Sequence, residues 1–120
     1  MKVLIVDDSS SMRMIVKRTL KQAGFTGLTI TEAPDGAEAL KKVNEDCPDL
    51  IMCDWNMPVM NGIEFLQKLR EEGNAVKFGF VTTESTEPMR ALAREAGAQF
   101  LIAKPFTADS FEKALRPVIG

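Results

Sequence analysis

Polar side chains that could act together follow four of the five short apolar runs in this sequence. In chain order they are Asp7, Asp8, Asp54, Thr82, Thr83 and Lys104. Three carboxylates brought within a few ångströms repel one another, and protonation or a cation relieves that repulsion. Even a carboxyl whose pKa is raised by roughly two units above about 3.9 is mostly ionised at pH 7. A divalent cation is therefore expected, and all-oxygen ligation with few protein ligands suits Mg²⁺.

The hydroxyl and ammonium groups extend this chemistry to an anion. A metal ion, a hydroxyl and a lysine that face one point form a binding site for phosphoryl oxygens. This combination is typical of phosphoryl transfer. One of the carboxylates is then free to act as a nucleophile and form an aspartyl phosphate.

Each of these residues also has a simpler interpretation. Asp8 or Ser9 could cap a helix, and Asp54 could be an ordinary turn residue. The Thr82 hydroxyl could bond to the backbone, and Lys104 could be a solvated loop residue. The agreement between four independent strand ends favours a joint site over these separate roles.

The elements that must position these side chains can be read from the apolar pattern. The five apolar runs cover residues 3–6, 28–31, 50–53, 78–81 and 100–103, and apolar residues recur at three- and four-residue spacing between them. This alternation predicts five strand–helix units and a mainly parallel sheet covered on both faces. The second strand alternates with threonine and is expected at an edge. Gly24, Gly73 and Gly97 stand where three helices should end. Such sheets bind ligands at the carboxyl ends of their strands, where the polar residues stand.

Composition excludes several classes of protein. The 120 residues carry 15 lysines and arginines against 17 aspartates and glutamates, with no histidine and a net charge of −2. This near balance offers no basic stripe for nucleic acid, and the apolar runs are too short for a membrane span or a signal peptide. Cys47 and Cys53 lack metal-ligand spacing, and no histidine could complete a zinc site. Two reduced cysteines are typical of a cytoplasmic protein. We expect one domain over residues 1–120.

The residues from Asp54 to Gly62, DWNMPVMNG, resemble the phosphoacceptor loop of response-regulator receiver domains. Further matches follow the family's order at Asp7-Asp8, Ser11-Met12-Arg13, Glu32-Ala33, Asp35-Gly36, Val81-Thr82 and Lys104-Pro105-Phe106. The resemblance covers essentially the whole chain and is strongest to single-domain chemotaxis members of the family. It implies a flavodoxin-like α/β fold, with a doubly wound five-stranded parallel sheet of order 2-1-3-4-5 and five helices.

The resemblance also implies roles around the acceptor. Asp54 would be the phosphorylated residue. Asp8 and Asp54 would ligate Mg²⁺ through their side chains, Asn56 through its backbone carbonyl and Asp7 through a bound water. Asn56 and Glu84 would flank the phosphoryl group and influence its hydrolysis.

Residues of the fourth and fifth strands complete the implied site. Thr82 would bond a phosphoryl oxygen, and Lys104 would pair with another. The peptide between Lys104 and Pro105 is expected to be cis and to hold the lysine over the site. Thr83 would border the entrance of the pocket.

One position departs from the family pattern. Three residues before Lys104 the family usually carries a Tyr or Phe that turns inward on phosphorylation, and this chain has Leu101. Phe100 precedes it and is expected on the opposite face of the strand. Leucine is smaller and has no hydroxyl, so phosphorylation is expected to produce a partial switch, with part of the signal carried by residues 83–88.

The implied function is that of a two-component signalling regulator. It would take its phosphoryl group from a histidine kinase and catalyse only its own phosphorylation and dephosphorylation. Its output partner would be a flagellar-motor component, a phosphatase or a similar protein, in chemotaxis. We expect a cytoplasmic monomer that binds neither nucleic acid nor membrane. A phosphorelay intermediate or phosphate sink without a motor partner is the alternative.

Two other classes of protein compete with this interpretation. A flavodoxin-like flavin binder could use Ser9-Ser10-Ser11 as a phosphate loop, but the adjacent aspartates would repel the phosphate. A metal-dependent phosphatase with an aspartyl nucleophile usually places its two acids two residues apart, whereas Asp7 and Asp8 are adjacent. Such an enzyme also needs a substrate cap, for which the sequence has no segment long enough.

Overall fold

Strands and helices alternate along the computed structural model, which describes residues 1–119. The strands are β1 (Lys2–Val6), β2 (Thr29–Ala33), β3 (Leu50–Cys53), β4 (Lys77–Thr82) and β5 (Phe100–Ala103). The helices are α1 (Ser10–Gln22), α2 (Gly36–Glu45), α3 (Gly62–Glu71), α4 (Glu87–Glu95) and α5 (Ala108–Ile119). Gly120, the last residue of the expected domain, lies outside the described residues.

The five strands form one parallel sheet in the order β2-β1-β3-β4-β5, which confirms the predicted fold class. Val6 at the end of β1 pairs with Ala33 of β2 and Cys53 of β3, and Cys53 pairs with Phe80 of β4. Neighbouring strands therefore end at nearly the same level. The residues that follow them meet at one edge of the sheet.

Three strands are longer than the apolar runs that predicted them, and β1 begins one residue early, at Lys2. β2 continues to Ala33 because its last two residues pair with Ile5 and Val6 of β1. β4 includes Thr82, which pairs with Ala103 of β5, so Thr82 ends the strand instead of following it. Backbone hydrogen bonding continues past the apolar side chains, because each buried N–H and C=O group needs a partner.

The helix ends follow the predicted signals. Gly24, Gly73 and Gly97 come after α1, α3 and α4 with φ of 93°, 78° and 101°, a conformation that glycine adopts without a clash at Cβ. At the start of α1 the Oγ of Ser9 accepts the N–H of Met12 at 3.1 Å. Ser9 therefore caps this helix, and the neighbouring aspartate, Asp8, is not used for capping.

Two apolar layers cover the two faces of the sheet. The layer under α2, α3 and α4 includes Leu4, Val6, Ile51, Phe65, Leu66, Phe78 and Phe80. The layer under α1 and α5 includes Val3, Ile5, Val16, Leu20, Met52, Phe111 and Leu115. Alternate residues of β1 enter opposite layers, as expected for a central strand buried on both faces. Within residues 1–119, no helix has the length and apolar character needed to cross a bilayer.

The first two side chains of the edge strand β5 lie on opposite faces of the sheet. Phe100 packs against the layer under α1 and α5, and Leu101 packs against the layer under α2, α3 and α4. This confirms the predicted orientation. The aromatic ring of β5 is therefore on the opposite side of the sheet from Leu101.

Candidate functional site

Asp7 is the first residue past β1, and hydrogen bonds fix both its backbone and its side chain. Its N–H donates to the carbonyl of Ala33 at 3.1 Å, and its Oδ1 accepts the N–H of Ser9 at 2.9 Å. The side chain is buried, with 6% of its surface exposed, whereas Asp8 is exposed. One carboxylate thus lies inside the edge of the sheet and the next lies at its rim.

Asp54 follows β3, and its loop closes tightly around it. Its N–H donates to the carbonyl of Val6 at 2.8 Å, and its Oδ1 accepts the N–H of Trp55 at 2.7 Å. The N–H of Gly62 donates to the carbonyl of Trp55 at 2.8 Å. A Cβ at Gly62 would collide with the carbonyl oxygen of Asp54. Glycine is therefore required where the end of the loop between β3 and α3 passes its beginning.

Asp7, Asp8 and Asp54 offer carboxylate oxygens that lie within 4.8 Å of one another. Burial is the largest influence on Asp7 and raises its pKa above the ordinary value, against the opposing effects of the Ser9 N–H and of Lys104. Crowded, partly buried carboxylate oxygens are the donors that a hard divalent cation such as Mg²⁺ prefers. The residues present therefore fit the predicted metal.

Lys104 brings a positive charge into this cluster from the end of β5. Its Nζ lies 3.1 Å from Oδ2 of Asp7 and 3.2 Å from Oδ2 of Asp54, and 14% of its side chain is exposed. Its backbone N–H donates to the carbonyl of Thr82 at 2.9 Å. The peptide that joins it to Pro105 is cis, as expected. The ammonium offsets part of the negative charge of the carboxylates.

The last residue of β4 and the loop that follows it border the site on its other side. Thr82 is fully buried, and its Oγ1 accepts the N–H of Glu84 at 3.1 Å. The hydroxyl is thus bonded to the backbone, as its simpler interpretation predicted. Oε1 of Glu84 accepts Nδ2 of Asn56 at 2.7 Å, which joins the loops after β3 and β4. Thr83 is exposed beside them.

Leu101 has a polar neighbour that the sequence did not indicate. Its side chain is half-buried, and its carbonyl accepts Nη1 of Arg90 at 3.4 Å. Nε of Arg90 also donates to the carbonyl of Ser85 at 3.2 Å. Arg90 therefore connects the loop after β4 and helix α4 to the edge strand β5.

Arg13 contacts the backbone of the acidic cluster. In the sequence this residue stands out only as part of a family motif. Nη1 of Arg13 donates to the carbonyl of Asp7 at 2.6 Å, and its Nε donates to Oε1 of Glu32 at 2.9 Å. Lys17 pairs with the other oxygen of Glu32 at 2.8 Å. Two basic residues four apart share one helix face, and that spacing was the signal available in the sequence.

Comparison with known proteins agrees with this architecture. A family model described as the response regulator receiver domain matches residues 3–116. The chain therefore belongs to the receiver family of response regulators, the signalling proteins of two-component systems.

Individual relatives are similar over nearly their whole length. The chain is 37% identical to the chemotaxis protein CheY1 of Helicobacter pylori over 123 residues, which covers 100% of this chain and 98% of that protein. It is 38% identical to a probable chemotaxis protein CheY of Rhizobium etli over 121 residues, 99% of this chain and 92% of that protein. The crystal structure of the chemotaxis protein CheY4 of Vibrio cholerae superposes with a TM-score of 0.85 at 37% identity and covers 98% of both chains.

Proposed function

We propose that Asp54 accepts a phosphoryl group from a histidine kinase, and that the resulting aspartyl phosphate changes which partners this chain binds. The observation that carries the proposal is the placement of Asp54. Its Oδ2 lies 3.2 Å from Nζ of Lys104, in the same carboxylate cluster as Asp7 and Asp8. A carboxylate beside an ammonium and within a set of metal-binding oxygens can act as a nucleophile toward a phosphoryl group. Membership of the receiver family supports the same conclusion.

We assign Mg²⁺ to the side chains of Asp8 and Asp54, to the backbone carbonyl of Asn56 and, through a water, to Asp7. Mg²⁺ held there supplies positive charge to the phosphoryl oxygens during transfer. Asp7 is kept in place by the N–H of Ser9 on one carboxylate oxygen and by Lys104 on the other. Its geometry is therefore set before any ligand arrives.

The transfer itself exchanges one bond for another. An oxygen of the Asp54 carboxylate attacks the phosphorus of a phosphohistidine. The P–O bond forms as the P–N bond breaks, and the released imidazole takes a proton from solvent. Lys104, whose ammonium already pairs with Asp54, also pairs with the negative charge of the incoming phosphoryl group. The Thr82 hydroxyl turns from the N–H of Glu84 and donates to a phosphoryl oxygen, in response to about two added negative charges.

Loss of the phosphoryl group requires water to reach the same point. Asn56 and Glu84, joined by their hydrogen bond, and the exposed Thr83 lie at the rim, so we assign to them an influence on the lifetime of the aspartyl phosphate. The chemistry of the chain is limited to its own phosphorylation and dephosphorylation. The signal is then carried by binding.

The relatives named chemotaxis proteins support a role in chemotaxis. The output partner in this proposal is a flagellar-motor component, a phosphatase or a similar protein, bound by a cytoplasmic monomer. Residues 1–120 act as one receiver domain. A phosphorelay intermediate or phosphate sink is a second candidate, and Leu101 is the observation that favours it. Passing on a phosphoryl group needs no large conformational change, and the usual aromatic switch is absent at position 101.

The test is phosphorylation of the full chain by a small acyl phosphate in the presence of Mg²⁺. Mass spectrometry should show one added phosphoryl group that is lost at alkaline pH. Asp54→Asn should remain unmodified, because an amide is too poor a nucleophile. Asp109→Asn, which alters an exposed acid at the start of α5, is the matched control and should be phosphorylated normally. Modification that persists in Asp54→Asn would place the acceptor elsewhere.

A further inference from the structure

Arg13 holds two parts of the fold together beside the acidic cluster. Its side chain is largely buried, with 17% of its surface exposed. One arm of the guanidinium donates to the carbonyl of Asp7 at 2.6 Å, and Nε donates to the carboxylate of Glu32 at 2.9 Å. Glu32 lies near the end of β2 and pairs with Ile5 of β1. The arginine therefore ties the turn after β1 to the neighbouring strand.

The hydrogen bond to the Asp7 carbonyl has a direct consequence for Asp8. The carbonyl oxygen of Asp7 and the backbone nitrogen of Asp8 belong to one planar peptide group. A donor that fixes this oxygen limits the rotation of the whole group, which includes the Cα of Asp8, and so restricts the positions that the Asp8 side chain can reach. The backbone is also held on the N-terminal side of Asp7, because the N–H of Asp7 donates to the carbonyl of Ala33.

We infer that Arg13 is a positioning residue for the acidic cluster, holding the Asp7–Asp8 peptide so that both carboxylates meet Asp54 in the arrangement that binds a divalent cation. This inference rests on the proposed magnesium site. Arg13 contacts a backbone carbonyl and a distant carboxylate and is not itself a ligand. Its effect on the metal passes through the geometry of Asp7 and Asp8.

Electrostatics alone predicts the opposite effect of Arg13 on metal binding. A positive charge beside the cluster repels a divalent cation, so removal of the charge should strengthen the binding of Mg²⁺. Loss of a positioning residue should weaken it, because partners that orient ligating side chains typically contribute tenfold or more to metal affinity. The sign of the change therefore distinguishes the two roles.

Lys17 provides a matched control for Arg13. It lies on the same helix and pairs with the same carboxylate, with Nζ 2.8 Å from Oε2 of Glu32. Within residues 1–119 its ammonium bonds to Glu32 and not to Asp7. Lys17→Gln removes one positive charge and one ion pair with Glu32 while leaving the fixed carbonyl of Asp7 in place. A change seen in Arg13→Gln and absent in Lys17→Gln is therefore due to the bond to Asp7.

The experiment is a titration of the full chain with Mg²⁺, without any phosphodonor, followed by the fluorescence of Trp55. This tryptophan is buried next to Asp54, and its backbone N–H donates to Oδ1 of Asp54 at 2.7 Å. We expect Arg13→Gln to weaken the binding of Mg²⁺ roughly tenfold. Lys17→Gln should stay within about twofold of the unmodified chain, because exposed ion pairs contribute little. The weakening should persist near 1 M salt, where charges beyond about 3 Å are screened.

Arg13→Lys keeps the positive charge and loses the planar fork that spans Asp7 and Glu32. It should bind Mg²⁺ almost as weakly as Arg13→Gln, and it decides the question if Arg13→Gln does not fold. Unchanged or tighter Mg²⁺ binding in the folded variants would overturn the positioning role while the magnesium site stands. An unmodified chain that does not bind Mg²⁺ would overturn the magnesium site and this inference with it.

Discussion

The ring of Phe100 covers Gly79 on the neighbouring strand, in the space that a Cβ at position 79 would occupy. The two residues are paired in the register between β4 and β5. The absence of a side chain on one strand thus makes room for an aromatic ring on the next. This contact holds the ring of Phe100 on the side of α1 and α5, and Leu101 faces the other layer.

The first prediction tests this contact. Gly79→Ala should lower the free energy of unfolding by about 1–3 kcal/mol, the usual cost of forcing an extra carbon into a packed interior. Phe100→Leu in the same chain should recover part of the loss, because the smaller side chain leaves room for the methyl group. Chemical denaturation of the two single variants and the double variant measures the coupling. Additive effects would show that the ring and the new methyl group do not compete for space.

The second prediction concerns the buried charge of Asp7. Burial raises its pKa in the folded state, so the folded chain holds this proton more tightly than the unfolded chain does. The ionised carboxylate therefore lowers the free energy of unfolding above the folded-state pKa. This loss is recovered as the pH falls from the folded-state pKa to the lower pKa of the unfolded chain. Asp7→Asn should raise the free energy of unfolding of the metal-free chain at neutral pH, by the roughly 0.5–2 kcal/mol that single stabilising substitutions commonly give. The gain should shrink toward acid pH.

Chemical denaturation of the metal-free chain from neutral to acid pH measures this change in the free energy of unfolding. Asp109→Asn, which alters an exposed carboxylate, is the control. Mg²⁺ should stabilise the unmodified chain and leave Asp7→Asn nearly unchanged, because a ligand stabilises only the state that binds it. A loss of stability in Asp7→Asn at neutral pH would mean that the bonds of Asp7 to Ser9 and Lys104 outweigh the cost of burial.

The third prediction concerns Val59 in the loop between β3 and α3. This residue has φ of 67° and a side chain that is 83% exposed. A β-branched residue in the left-handed region is strained by about 1–2 kcal/mol. Because the Val59 side chain is exposed, its packing contacts offset little of this strain. Val59→Asn should raise the melting temperature, because asparagine tolerates this conformation. Val59→Ala, which keeps Cβ, should raise the melting temperature by less than Val59→Asn does. An equal rise would mean that the left-handed backbone is not the source of the strain.

The fourth prediction concerns the response of β5 to phosphorylation. Hydrogen exchange measured with and without a fluoroberyllate that mimics the phosphoryl group should change most in residues 83–88. It should change little around Leu101, whose side chain offers no hydroxyl and less volume than the usual aromatic residue. Leu101→Tyr should enlarge the change in β5. Strong protection of β5 that is unaltered in Leu101→Ala would show that the side chain at this position does not limit the switch.

The pattern of apolar runs predicted the elements and, through them, most of the site. Asp7, Asp54 and Lys104 lie far apart in the sequence, yet each follows a strand, and parallel strands that end at one level bring their next residues together. Their convergence was therefore predictable without side-chain coordinates. The order of the strands came from the resemblance to a family, because local periodicity does not say which strands are neighbours.

The partners of individual polar groups were not predictable in this way. Thr82 could have faced the carboxylates or the loop, and its hydroxyl accepts the N–H of Glu84. Arg13 could have been a solvated residue of the first helix, and it donates to the carbonyl of Asp7. The sequence by itself determined which residues arrive at the edge of the sheet, because strand and helix periodicity is a local property. Only the tertiary structure decided which donor meets which acceptor, because several partners compete for each group and the choice depends on distances across elements that are remote in the chain.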